Sequence, residues 1–313
     1  MTQIIGFLNK QGAAIAADSA GSQSINKYNK ISNSQNKMVR LSVSCDDPVS
    51  VMILNNDSLL GIPWDVIARC YRSERNGKTF PVFHEYVSDF IQYVENRVLS
   101  DNYDRIEGLQ QHEWSGLVFT GYGNEEKYPS LEVVNILEVD GAHLIYEINK
   151  AVKISDDCPY EFVSLGQDDV VGQLFEGVNT DWIRIAAKDS LEHYRSSLYA
   201  ELKNLPGVNK DDLIPLRRVD IDGRCDNFRD LLVENLDVEQ DFKNLSVIEH
   251  LSVGEMAILA NSMICATKLH RQMYFQEESV GGLVDLATIT KSGFKWIDRK
   301  CWYDAPGQDG FNI

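Results

Sequence analysis

The chain begins Met1-Thr2-Gln-Ile-Ile-Gly-Phe-Leu-Asn-Lys-Gln-Gly-Ala-Ala-Ile-Ala-Ala-Asp18, and this block constrains the fold more than any other stretch. Gln3 to Leu8 and Ala13 to Ala17 are apolar and strand-like, and Asn9-Lys10-Gln11-Gly12 between them carries turn chemistry. Gly12 offers the positive φ that such turns often require. A hairpin about this turn brings Asp18 to within a residue or two of Thr2. The run Ala13-Ala14-Ile15-Ala16-Ala17 is small enough to let another layer approach the sheet closely.

Thr2 stands directly behind the initiator Met, and its small side chain permits removal of Met1. Removal leaves a hydroxyl and a free α-amine on one residue. A hydroxyl nucleophile needs a base, and an N-terminal amine can serve. Its ordinary pKa of about 7.7–8.0 lies near working pH. On these residues alone, an ordinary hairpin with Met1 retained stays open as an alternative.

Thr-x-Ile-Ile-Gly-Phe followed by Gly-Ala-Ala-Ile-Ala-Ala-Asp-Ser resembles the amino terminus of proteasome β-type subunits, which belong to the N-terminal-nucleophile (Ntn) hydrolases. Asp18-Ser19 matches the pair closing the second strand, and Lys37 in Asn36-Lys37-Met38-Val39-Arg40-Leu41 matches the Lys opening the third. Leu117 to Gly123 with Pro129 to Val134 resembles the central hairpin. Phe162 to Gln167 resembles the strand before the third main helix, and Ser279 to Leu286 the closing Gly-Gly segment. The match is closer to a branch of uncharacterised bacterial proteasome-like proteins.

The resemblance implies a threonine-type peptidase or amidohydrolase. Thr2 is its nucleophile, Lys37 the charge that tunes it and Asp18 the anchor of Lys37. The backbone N–H of Asn55, in Ile53-Leu54-Asn55-Asn56-Asp57-Ser58, falls on the oxyanion-donor position. Two matches are displaced. The later Ser corresponds to Leu165, with Ser164 one residue early. The Asp-x-x-Ser before the glycines reads Glu277-Glu278-Ser279-Val280, so that Glu277 stands for the Asp and Ser279 is one position off. The resemblance also implies a four-layer α/β/β/α sandwich and a homo-oligomer, a dimer or a ring. A catalytically silent assembly or scaffold subunit is the alternative.

Patterning leads to the same α+β fold class. Ser22 to Gln35 reads as an exposed loop. Ser58 to Arg75 and Val82 to Leu99 have apolar residues at helical spacing, and strands follow from Trp114 to about Gly166. Gln167 to Gly177, Asp181 to Leu205 and Leu251 to Tyr274 read as helices, and Val284 to Trp296 as a terminal hairpin. This order suits two packed sheets with helices over both outer faces. A single domain over 1–313 accommodates it, with an acidic, irregular insertion at about 205–247.

The net charge of −17 argues against nucleic acid and anionic membrane as partners, since both want basic surface. No apolar run reaches membrane-spanning length. The six cysteines show no C-x-x-C spacing and read as reduced thiols of a cytoplasmic protein. No cofactor and no metal is called for: Val219-Asp220-Ile221-Asp222-Gly223 lacks the later ligands of a calcium loop, and the histidines have no partners at metal spacing. His84, His193, His250 and His270 lie on or beside the expected helices and read as surface or core-edge residues.

Overall fold

The computed structural model describes residues 2–25, 28–42, 48–75, 77–102, 115–176, 180–207, 209, 213, 220, 223–227, 245–273 and 280–299. The chain divides into two compact units. The first comprises Met1–Asp168 and Ser246–Ile313, and the second Asp169–Leu245.

In the first unit, β1 (Gln3–Asn9) and β2 (Gly12–Ala17) form the expected hairpin, with Ile4 opposite Ala17. Every residue of both strands is buried, because both faces of their sheet are covered. A two-stranded ribbon follows, β3 (Gly21–Ile25) with β4 (Tyr28–Ser32). It lies where the sequence suggested a loop. Its polar strands are held by ladder hydrogen bonds and give no apolar alternation to read.

Next come β5 (Met38–Arg40), β6 (Val49–Asn55) and the short ribbon β7 (Ser58–Leu59) with β8 (Ile62–Pro63). Helix α1 (Trp64–Glu74) starts directly after Pro63. It buries Trp64, Ile67, Ala68 and Tyr71, the i, i+3, i+4, i+7 stripe of an amphipathic helix. Helix α2 (Phe83–Tyr93) runs on into a π-helical turn, Val94–Leu99. The Glu126 carboxylate closes the open start of α2 by accepting the Phe83 N–H at 2.9 Å. Then follow β9 (Ser115–Gly121), β10 (Ser130–Asp140), β11 (His143–Lys153) and β12 (Tyr160–Gly166). After the second unit come a single helical turn, Val247–His250, helix α5 (Val253–Met273), β13 (Asp285–Thr290) and β14 (Gly293–Asp298).

The strands assemble into two five-stranded sheets, ordered β12-β1-β2-β13-β14 and β11-β10-β9-β6-β5, and their adjacent strands run antiparallel. One core cluster joins the sheets, with Ile4, Leu8 and Ile15 from the first and Met52, Val118 and Leu131 from the second. The other core cluster joins α1 and α2 to the second sheet, through Trp64, Tyr71 and Phe90 with Val51, Ile53 and Phe119. Helix α5 packs on β1 and β2.

The second unit contains helices α3 (Asp169–Glu176) and α4 (Thr180–Leu202). Ile185 and Tyr194, expected in the apolar stripe of α4, are exposed. This corrects the fold expectation. The architecture is a mixed α+β fold, and among the described residues no four-layer α/β/β/α sandwich is shown. Two of the helices read from patterning, Gln167 to Gly177 and Asp181 to Leu205, fall almost wholly in the second unit. Patterning reads helices but not the surface they rest on.

Candidate functional site

The hairpin register sets Asp18 opposite Gln3. The Asp18 N–H donates to the Gln3 carbonyl at 3.2 Å, and the Gln3 N–H donates to Asp18 Oδ1 at 3.0 Å. Lys37 directly precedes β5, and its carbonyl accepts the Ile53 N–H at 2.8 Å, which seats it beside β6. From there its Nζ donates to Asp18 Oδ1 at 2.8 Å. The two side chains are 4% and 0% exposed. Asp18 Oδ2 accepts the N–H groups of Ala20 at 3.0 Å and Gly281 at 3.1 Å. A buried carboxylate is costly unless its lone pairs are met, and here both oxygens are met.

Thr2 is buried beside this pair. Its carbonyl accepts the Gln167 N–H at 3.0 Å, which ties the chain start to the end of β12. Gly166 makes that approach possible. Its φ is +88°, and a Cβ there would sit 1.8 Å from the Thr2 carbonyl oxygen.

Thr2, Lys37 and Asn55 share one cavity of about 330 Å³. Asn55 ends β6 with φ of 67°, the left-handed conformation that Asn tolerates better than most residues. Such a residue turns its peptide units away from the regular strand direction. Asp57, Asp65 and Arg69 also line the cavity. Asp65 pairs with Arg69 at 3.3 Å, and the Gln35 amide donates to the Asp57 carboxylate. Sequence reasoning did not single out these residues. Asp65 and Arg69 are an i,i+4 pair on α1, and by sequence such a pair looks like an ordinary surface contact.

The structure therefore brings Thr2, Asp18, Lys37 and Asn55 to one place. Glu277 and Ser279 lie outside the described residues, although Gly281 two positions on reaches the Asp18 carboxylate. Ser164 pairs with Ile5 across β12 and β1, whereas Leu165 packs against the core between the sheets. At that inward position an apolar residue fills space where a hydroxyl would have to find a partner. Among the described residues, no group of three His, Cys, Asp or Glu side chains is placed to hold a metal ion.

No protein-family model matches the sequence, and no curated protein matches it. Similar solved structures include the Gly-1 mutant of Anbu from Hyphomicrobium sp. strain MC1, 13% identical with a TM-score of 0.44, over 96% of this chain and 86% of that one. Anbu (ancestral beta-subunit) from Yersinia bercovieri is 11% identical with a TM-score of 0.44, over 94% of this chain and 86% of that one. A helical assembly of the Anbu complex from Pseudomonas aeruginosa is 12% identical with a TM-score of 0.37, over 66% of this chain and 77% of that one. Likenesses at this level assign no family. The resemblance to proteasome β-type subunits, taken as membership of the Ntn hydrolases, is corrected accordingly: the hairpin and its Thr, Asp and Lys are present, but the similarity over the whole chain does not carry membership.

Proposed function

We propose that the protein is a threonine hydrolase that cleaves peptide or other amide bonds with Thr2 as nucleophile, once Met1 has been removed. The supporting observation is the buried Lys37–Asp18 pair, whose lysine opens onto the cavity that Thr2 lines. A buried cation needs a reason, and a neighbouring hydroxyl that must become an alkoxide supplies one.

The Thr2 Oγ–H passes its proton to the residue's own α-amine as Oγ attacks the amide carbon. The Lys37 ammonium favours the charged alkoxide and the developing negative charge. Asp18 holds Lys37 by a charge-assisted hydrogen bond. The Asn55 N–H donates to the oxyanion. The ammonium formed on Thr2 then protonates the leaving amine, and water hydrolyses the acyl ester by the reverse steps. We propose a substrate chain lying along the Thr2 cavity and a homo-oligomeric protein.

The deciding experiment is the intact mass of protein purified from its own host, with turnover measured on a peptide library. A mass starting at Thr2, with cleavage lost in Thr2→Ala and kept in Thr2→Ser, is the expected result. Full retention of Met1 in active protein overturns the assignment, because the amine would be held in a peptide bond.

A further inference from the structure

On the far side of the second sheet from the Thr2 hairpin, three residues stand in the order nucleophile, base, orienter. Ser88 and His84 are one turn apart on α2, and Glu132 is on β10. The Ser88 Oγ lies 3.3 Å from His84 Nε2. His84 Nδ1 lies 2.9 Å from Glu132 Oε2 and 3.1 Å from its Oε1. An ionised carboxylate only accepts, so Nδ1 donates to it, and in the neutral imidazole Nε2 then holds the lone pair that faces the serine. The Glu132 side chain is 10% exposed and comes from the middle of a sheet, so the orienting end is rigid. His84 and Ser88 are open to solvent, so the reacting end is accessible.

Ser88 also lines an open groove of about 830 Å³. Phe80, Ile91 and Tyr146 give it apolar wall, Glu85 and Glu95 add acidic groups, and the Asp89 carboxylate is paired with Lys78, which also lines the groove, at 2.9 Å. The apolar wall suits an uncharged acyl group.

We infer that Ser88, His84 and Glu132 form a second nucleophile site, separate from the Thr2 cavity, which acts on uncharged esters with an apolar acyl group. The Ser88 Oγ–H gives its proton to His84 Nε2 as Oγ bonds to the ester carbon. The carbon–oxygen bond to the alcohol breaks, and the alkoxide takes the proton from Nε2. Water then enters by the same route, its proton going to Nε2 and its oxygen to the acyl carbon; the bond from that carbon to Ser88 Oγ breaks, and Oγ takes the proton back from Nε2. The histidine–carboxylate spacing is that of the serine, histidine and carboxylate arrangement on unrelated folds, and the 3.3 Å between Ser88 and His84 is the looser spacing of a site without substrate. A surface serine without a base is inert, so the arrangement predicts a reactivity beyond that of an isolated surface serine.

The test is labelling of the full chain with a fluorophosphonate, in which Ser88 Oγ bonds to phosphorus and fluoride leaves. Peptide mass mapping should place the adduct on Ser88 equally in the unaltered protein and in Thr2→Ala, which separates this site from the proposed threonine chemistry. His84→Ala should slow both labelling and p-nitrophenyl acetate hydrolysis by about 100-fold or more, the scale of a positioned base. His84 is a surface residue, so this variant tests the base without disturbing the core, whereas Glu132→Gln risks the sheet. No adduct at Ser88, an adduct at Thr2 alone, or a Ser88 rate unchanged by His84→Ala overturns the proposal.

Discussion

Lys37 Nζ lies 2.8 Å from Asp18 Oδ1, and almost no solvent reaches either side chain. The same carboxylate accepts backbone N–H groups from Gln3, Ala20 and Gly281. One buried side chain therefore joins both strands of the first hairpin, the start of β5 and a segment more than 260 residues away. The charge of Lys37 is held in the Thr2 cavity by these contacts.

Lys37→Ala removes the cation and leaves Asp18 charged and buried. Breaking a buried pair in this way costs about 3–5 kcal/mol. The variant should lose amide hydrolysis and also unfold at clearly lower denaturant. Lys37→Met fills the space of the side chain without its charge, so it should unfold at less reduced denaturant than Lys37→Ala and recover none of the activity. Equilibrium urea unfolding with a peptide cleavage assay checks both. Wild-type turnover in Lys37→Ala would place the chemistry elsewhere.

Gly166→Ala probes the seat of Thr2. A non-glycine residue at φ of +88° carries strain of about 1–3 kcal/mol. The added methyl also overlaps the Thr2 carbonyl oxygen, so the chain start must shift. Turnover should fall even where the protein still folds, because a displacement of about 1 Å can cost 100-fold. Gly77→Ala is the control. It too has positive φ, but open space lies around its Cβ. It should cost stability and leave turnover unchanged.

Much of this site could be read along the chain. The apolar runs and the Gly12 turn predict the β1–β2 hairpin, and its register alone sets Asp18 against Gln3. Lys37 is different. Only the resemblance singles it out, because its partner is reached through the pairing of β5 with β6 and not through any local pattern. The Gly281 N–H is further still from view, since an acceptor at residue 18 leaves no trace at residue 281. The β3–β4 ribbon is hidden by its polar strands. Ser88 and His84 have the i,i+4 spacing of neighbours on a helix, yet Glu132 on a distant strand turns that pair into a constellation. The start of the second compact unit at Asp169 leaves no mark in the sequence pattern. A helix pattern marks an apolar face and not what covers it, as the exposed Ile185 and Tyr194 of α4 show.

Glu126 predicts an acid-side loss of stability. Burial alone would raise its pKa. Hydrogen bonds from Lys153 and from the N–H groups of Phe83 and Gly123 outweigh burial and hold it below the ordinary 4.5. A carboxylate with a depressed native pKa stabilises the fold above its unfolded pKa, and the stabilisation disappears as pH falls through the native one. Wild type should therefore lose more stability than Glu126→Gln between about pH 5 and pH 3. At neutral pH the variant should be less stable by about 1.5–3 kcal/mol, the scale of hydrogen bonds to a charged group. Denaturant unfolding of both proteins across this range checks it. Parallel pH curves would show that Glu126 is not depressed.

The last prediction concerns association. On α5, Ile258, Leu269 and Met273 are 67%, 60% and 74% exposed. Their spacings of 11 and 4 residues keep them on one side of a helix with 3.6 residues per turn. A row of large apolar side chains open to water is an association surface when a second copy covers it. With the net charge of −17, copies repel one another at long range. Salt screens that repulsion within about 8–10 Å near physiological ionic strength. The protein should therefore form a closed homo-oligomer that tightens from low to moderate salt. Leu269→Glu with Met273→Glu should shift it towards monomer without altering its circular dichroism. Light scattering coupled to size exclusion at micromolar protein reads the mass directly. A monomer at every salt concentration would remove the association claim and leave the Thr2 cavity to work in a single chain.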